Sequence, residues 1–152
     1  MEKEIIEPRQ DDMTQKYGAK AIAENKLEVF ENRNKDQSHV ISFTCPEYTS
    51  LCPRSGFPDF ATIYIDYVPD QFCVELKALK LYLNSFRDKG IFHEDVTNHL
   101  LRDLVELLKP KAIRVVADFT VRGNIHTVVA ASYFSGDQLF ELPKMTILGR
   151  DY

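Results

Sequence analysis

Glu75-Leu76-Lys77-Ala78-Leu79-Lys80-Leu81-Tyr82 joins an alternating apolar run to a helical one, and it sets a carboxylate and two ammonium groups within six positions. The spacing predicts a helix from about Lys77 to Lys89. Leu76, Leu79, Tyr82, Leu83 and Phe86 fall on one arc, while Lys77, Lys80, Asn84 and Arg87 share the opposite one. Leu81 is the only large apolar residue on the polar side. Two readings of the basic arc stand. It is a solvated face of an amphipathic helix, or it is a phosphate seat built from two lysines one turn apart near a positive helix N-terminus.

Working outward, Phe60 to Val68 alternates, with Ala61, Ile63, Ile65 and Tyr67 on one face and Thr62, Tyr64 and Asp66 on the other. That is the pattern of a half-buried strand. Pro69-Asp70 reads as a turn and Gln71 to Glu75 as the returning strand of a hairpin. Upstream, His39 to Thr44 is a short strand. The stretch Cys45 to Asp59, with three prolines and a glycine, reads as a loop of functional length. Downstream, Gly90 suits a helix C-cap, and a second helix follows His93-Glu94-Asp95, whose acids suit an N-terminus. Val96, Leu100, Leu101, Leu104, Val105, Leu107 and Leu108 cover one half of it, and Pro110 stops it. Strands over Ala112–Thr120 and Ile125–Phe134 flank a turn at Arg122-Gly123-Asn124.

Residues 1–37 are charged and weakly periodic, and they read as an arm that docks through Leu27, Val29 and Phe30. Residues 38–152 read as a single domain. The pattern calls for an α+β fold, an antiparallel sheet with two antiparallel helices on one face. A length of 152 residues suffices to bury a core without staples. No run approaches the ~20 apolar residues of a membrane span, and Met1-Glu2-Lys3-Glu4 has no apolar leader, so a cytoplasmic location is expected. The net charge of −4 argues against bulk nucleic-acid binding but leaves room for a local basic pocket.

Cofactor motifs based on glycine are missing, since none of the six glycines are spaced as G-x-G. Three cysteines, Cys45, Cys52 and Cys73, form no C-x-x-C pair, which disfavours a disulfide scaffold or a four-cysteine metal site. Cys73 lies in an apolar strand and reads as core. Cys45 and Cys52 both belong to the proline-rich stretch, and either is a buried hydrophobe or an available nucleophile, the latter helped by Arg54 and Asp59. Spacing does not choose between them. His93-Glu94 caps a helix, or it grips a heterocycle through carboxylate and imidazole. His99 falls on the polar face of its helix and reads as solvated.

Phe43-Thr44-Cys45-Pro46-Glu47, Thr49-Ser50-Leu51-Cys52-Pro53, Gly56-Phe57-Pro58-Asp59-Phe60, the Glu75–Tyr82 run and Phe92-His93-Glu94-Asp95 together resemble the QueF family in order and spacing. These are the NADPH-dependent 7-cyano-7-deazaguanine reductases of queuosine biosynthesis. The similarity runs from about Phe43 to Gly123 and is to the short, single-module form. It departs at Leu76 and Ala78, where members often carry serine, and at Val96, where some carry a cysteine.

The resemblance implies the tunnelling fold shared with GTP cyclohydrolase I, and two stacked pentamers with active sites between subunits. It implies Cys52 as the nucleophile that forms a covalent thioimide with the nitrile, and Asp59 as the acid that protonates its nitrogen. Val74, Glu75, Leu76, His93 and Glu94 then hold the 7-deazapurine, while Lys77, Lys80 and Arg122 hold the phosphates of NADPH. No metal and no direct nucleic-acid contact are implied. Two other readings use the same residues: a zinc-dependent pterin enzyme of the same fold, and an oligomeric purine-binding protein in which Cys52 is inert.

Overall fold

The centre of the molecule is β3, Pro58–Val68, whose alternating side chains are buried as their pattern requires. The computed structural model describes residues 16–136 and 140–152. On one side β3 pairs antiparallel with β2, Ile41–Leu51, and on the other with β5, Ala112–Phe119, which pairs in turn with β6, Val128–Phe134. The order β2-β3-β5-β6 makes an antiparallel four-stranded sheet with β2 and β6 as its edges.

Ala61, Ile63, Ile65 and Tyr67 of β3 share one face with Ile113, Val115, Ala117 and Phe119 of β5. Two helices bury that face: α2, Leu76–Asn84, through Leu79 and Leu83, and α3, His93–Leu108, through Val96, Leu100, Leu104 and Leu108. They run antiparallel, since Tyr82 meets Asp103 while Phe86 meets His99. Lys109 takes a left-handed conformation that ends α3 one residue before Pro110. The fold is therefore α+β.

Several expectations need correction. The stretch read as a loop from Cys45 to Asp59 is mostly strand. Pro46 sits at a bulge between the paired residues Cys45 and Tyr48, on an edge strand where its missing N–H breaks no ladder bond. Only residues 52–57 form the hairpin loop. The returning strand of the expected hairpin, β4 at Phe72–Val74, pairs not with β3 but with β1, Val29–Glu31. The first long helix stops at Asn84 rather than near Gly90, because Phe86, Arg87 and Lys89 bond to carbonyls only three residues back.

The segment before β1 contains a helix, α1 at Tyr17–Glu24, that packs on α2. Asn25 Nδ2 donates to the Ala78 carbonyl at 3.1 Å, and the misplaced Leu81 shares a shallow cavity with Tyr17 and Ala21 of α1. Against expectation His99 is half-buried, 3.3 Å from Asp103 and edge-on to Phe86. On the opposite face of the sheet Arg114 donates to the main-chain oxygens of Pro143 and Tyr152, holding the last segment, which forms the short hairpin β7, Thr146–Ile147, and β8, Arg150–Asp151. Among the described residues no helix is long and apolar enough to cross a membrane.

Candidate functional site

Leu51 and Pro58 are the last paired residues of the β2–β3 hairpin, so residues 52–57 project from the end of the sheet. Cys52 closes this loop with its own backbone. Its N–H donates to the Phe57 carbonyl and its carbonyl accepts from Gly56 N–H, each at 2.8 Å. Gly56 has φ +72°, a conformation that a side chain would strain. A second support comes from Leu51, whose N–H and carbonyl bond to Lys89 and Ile91, fastening the loop to the entrance of α3.

The three thiols differ by environment. Burial pushes Cys45 and Cys73 up from the ordinary thiol value. Cys52 is partly exposed and is drawn down to about 7, first by the Ser55 hydroxyl, then by the main-chain N–H groups of Ser55 and Arg54, with Arg122 also contributing. Arg54 thus acts through its backbone rather than its guanidinium. Of the three, Cys52 is the thiol its surroundings favour as thiolate, the nucleophilic form.

Asp59 begins the buried part of β3, at 6% exposure. One carboxylate oxygen accepts from Arg122 Nη1 at 2.5 Å, and the other lies 3.3 Å from His93 Nε2. Arg122 reaches it from the tip of the β5–β6 hairpin, where Gly123 and Asn124 both take positive φ and make the tight turn that the sequence announced. Its second nitrogen, Nη2, donates to Ser55 Oγ at 2.9 Å. His93, the first residue of α3, stacks on Phe119 with ring centroids 3.8 Å apart and planes within 7°. Cys52, Ser55, Asp59, His93 and Arg122 are therefore one cluster drawn from β3, the start of α3 and the tips of two hairpins.

Glu94 follows in the first turn of α3 and is exposed. Its carboxylate takes no hydrogen bond among the described residues, and the Phe92 N-cap makes none through a side chain. The acids there favour the helix dipole without capping the helix.

Val74, Glu75, Leu76, Lys77 and Lys80 lie elsewhere. Val74 is buried, and its N–H donates to the Tyr67 hydroxyl at 3.2 Å. Glu75 is the N-cap of α2: its carboxylate accepts from Lys77 N–H at 2.9 Å and Ala78 N–H at 2.7 Å, which hold its pKa below the usual carboxylate value. The helix N-terminus is consequently occupied, so a phosphate here would meet the lysine side chains rather than main-chain donors. Leu76, Lys77 and Lys80 line a cavity of ≈ 670 Å³ with Phe43, Thr44, Pro46 and Glu75. Leu76 is 64% exposed into it, contrary to its expected place on the core arc. None of Cys52, Asp59, His93, Glu94 or Arg122 belongs to that lining.

Sequence reasoning missed Ser55 and Phe119. A hydroxyl three positions after a loop cysteine was a readable signal for the first, whereas Phe119 looked like any core aromatic. Among the described residues no group of three or more histidine, cysteine and acidic side chains is placed to hold a metal ion.

A partly exposed thiol, a buried carboxylate and an imidazole gathered at one end of an α+β sheet are the groups that a cysteine-centred enzyme would use. A family model described as QueF-like protein matches residues 58–138. A protein of Aquifex aeolicus is 54% identical over 114 residues, 75% of this chain and 88% of its own length. One of Microcystis aeruginosa is 52% identical over 118 residues, 78% and 90% of the two chains. Both are named NADPH-dependent 7-cyano-7-deazaguanine reductase. The chain belongs to the QueF-like family. Its fold also matches the crystal structure of the archaeosine synthase QueF-Like in the apo form, at 20% identity and a TM-score of 0.58, over 61% of this chain and 91% of that one.

Proposed function

We propose that this protein reduces the nitrile of 7-cyano-7-deazaguanine to the aminomethyl group with two NADPH, as a step in queuosine biosynthesis. The observation that carries this reading is the lowered, partly exposed Cys52 thiol beside the Asp59–His93 pair, in a chain of this family. The Cys52 thiolate adds to the nitrile carbon. A C–S bond forms, one C–N π pair moves to nitrogen, and Asp59 supplies the proton that completes the thioimide. His93, 3.3 Å from Asp59, is placed to return a proton to that carboxylate. When the C–S bond later breaks, its electron pair goes back to Cys52 as thiolate and leaves an imine. NADPH, when bound, supplies the hydrides of both reductions.

The residues of the α2 entrance fit that cofactor in chemistry: two exposed ammonium groups one turn apart border a cavity with an apolar wall. Lys77 and Lys80 would hold its phosphates, and Glu94 would accept N–H bonds from the guanine-like edge, with Val74, Glu75 and Leu76 bordering the base. The two groups of residues line separate places on one chain, and that supports an assembly in which neighbouring subunits complete each site. Arg122 joins Lys77 and Lys80 only through such an assembly. We infer the tunnelling fold and two stacked pentamers on the same ground. The unpaired edge strands β2 and β6, the latter with Tyr133 and Phe134 exposed, are available for pairing between subunits. Residues 38–152 form the catalytic domain in this reading, and residues 1–37 an arm.

The test is NADPH oxidation on adding 7-cyano-7-deazaguanine, with Cys52→Ala alongside. Two NADPH consumed per nitrile and none by the variant are expected. No oxidation by a folded, oligomeric wild type refutes the reductase. Full oxidation by the variant refutes the covalent route.

A further inference from the structure

The cavity between α1 and α2 lies outside the stretch that carries the family resemblance, yet it adjoins the one read as the seat of the cofactor. We infer that it takes the adenosine end of NADPH, with Tyr17 under the adenine and Lys20 and Lys26 on the 2′-phosphate. The inference rests on the reading of Lys77 and Lys80 as holders of the cofactor phosphates, and it gives the arm a role.

Tyr17, Lys20, Ala21 and Glu24 recur at three- and four-residue spacing, so α1 turns them to one side. That side borders a cavity of ≈ 510 Å³, completed by Ala78 and Leu81 of α2. Its volume falls in the ordinary range for a small-molecule site. The arm is fixed there at two points past the helix. Asn25 Nδ2 donates to the Ala78 carbonyl at 3.1 Å, and Glu75 N–H donates to the Glu28 carbonyl at 2.9 Å. The chain then enters β1 and its pairing with β4.

Glu75 and Lys77 line this cavity and also the cavity of ≈ 670 Å³ that Lys80 borders. Two adjoining spaces with one lysine on their shared border suit a dinucleotide, whose halves are joined by a diphosphate. Tyr17 is 85% exposed. Its ring, beside Ala21 and Leu81, offers a purine a stacking surface. The ammonium groups of Lys20 and Lys26 make no ion pair or hydrogen bond among the described residues, so a phosphate can take them without breaking a native contact. Three acids border the same space. The Glu75 carboxylate is occupied by its two main-chain donors, and Glu24 and Glu28 are acceptors suited to ribose hydroxyls.

The experiment is calorimetric titration of the full chain with adenosine 2′,5′-bisphosphate and with adenosine 5′-monophosphate, which lacks the 2′-phosphate. Wild type should bind the bisphosphate more tightly. Lys20→Ala and Lys26→Ala should each weaken it about tenfold, the value of one charge-assisted hydrogen bond, and leave the monophosphate nearly unchanged. Tyr17→Ala should weaken both nucleotides alike, by about tenfold, and Tyr17→Phe should restore them. All three side chains are exposed, so their loss leaves the core intact. Equal wild-type affinity for the two nucleotides, or bisphosphate affinity unchanged in the triple variant Tyr17→Ala/Lys20→Ala/Lys26→Ala, overturns the inference. Neither nucleotide carries a nicotinamide, so the readout is independent of nitrile reduction. Bisphosphate binding that needs these three residues, in a protein that reduces no nitrile, supports the arm site and refutes only the reductase. Nitrile reduction with KM for NADPH unchanged in the triple variant refutes the arm site and leaves the reductase standing.

Discussion

Replacing Arg114 by leucine should cost this protein much of its stability and release its last segment. Ser42, Asp66 and Arg114 occupy one row across β2, β3 and β5, on the sheet face away from the helices. Asp66 is 5% exposed and Arg114 7%. Arg114 Nη2 donates to Asp66 at 2.8 Å, while Ser42 Oγ donates to the other carboxylate oxygen. The same guanidinium bonds the Pro143 carbonyl, and the Tyr152 main-chain oxygen at 2.7 Å, so it ties the final segment to the sheet.

Leucine in its place leaves a buried carboxylate with a single hydroxyl donor, a change that typically costs about 3 to 5 kcal/mol. A domain of this size holds only about 5 to 15 kcal/mol in total. The double variant Asp66→Leu/Arg114→Leu removes the orphaned charge and should recover most of the loss, since apolar pairs of similar volume replace buried ion pairs nearly neutrally. Urea unfolding at one fixed protein concentration measures both, the fixed concentration being needed in any oligomer. Trypsin cleavage after Lys144 should accelerate in the single variant. A loss below about 1 kcal/mol, or a double variant as unstable as the sum of its singles, refutes the reasoning.

Lys77→Ala and Lys80→Ala should each raise KM for NADPH about tenfold, the value of one charge-assisted hydrogen bond of ~1.5 kcal/mol, and leave KM for the nitrile nearly unchanged; steady-state kinetics with each substrate varied decides. Leu104→Ala, at a site with 1% exposure, should destabilise the fold by about 2 to 5 kcal/mol in the same urea assay. Because the Glu75 carboxylate is held below its usual value by Lys77 and Ala78 N–H, its cap is fully present above the ordinary carboxylate range. It is lost as pH falls through the lowered value. Amide exchange at Lys77 and Ala78 should follow that sign, with protection disappearing only at acidic pH, and earlier than that in no part of the range.

Much of the architecture was legible in side-chain periodicity. The alternation of β3 and β5 and the 3.6-residue spacing of α2 and α3 each name a buried face, and hydrophobic burial leaves the chain little choice about which face that is. Gly123-Asn124 announced its turn because positive φ at both positions is a local demand. Proline misled at Pro46, since composition does not reveal that a strand lies at a sheet edge with a bulge to absorb it. The pairing of β4 with β1 was equally hidden. Alternation marks a strand, but its partner is set by which edges remain free after the sheet assembles.

The candidate site divides along the same line. Residue types marked Cys45, Cys52, Asp59, His93 and Glu94 as candidates by their chemistry, and the family resemblance of their motifs, not their spacing, preferred Cys52 as nucleophile and Asp59 as acid. Local backbone demands, a six-residue turn closed through Gly56, sufficed to aim the thiol. What spacing could not carry was the meeting of Arg122 with Asp59, 63 positions apart, or of His93 with Phe119. Those contacts exist because β3 lies between β2 and β5, bringing two hairpin tips and the start of α3 to one end of the sheet. Ionisation depends on such neighbours, so what sets Cys52 apart from Cys45 and Cys73 belongs to the folded chain, while the sequence by itself offered Cys45 and Cys52 alike and only the resemblance of the surrounding motifs preferred the second.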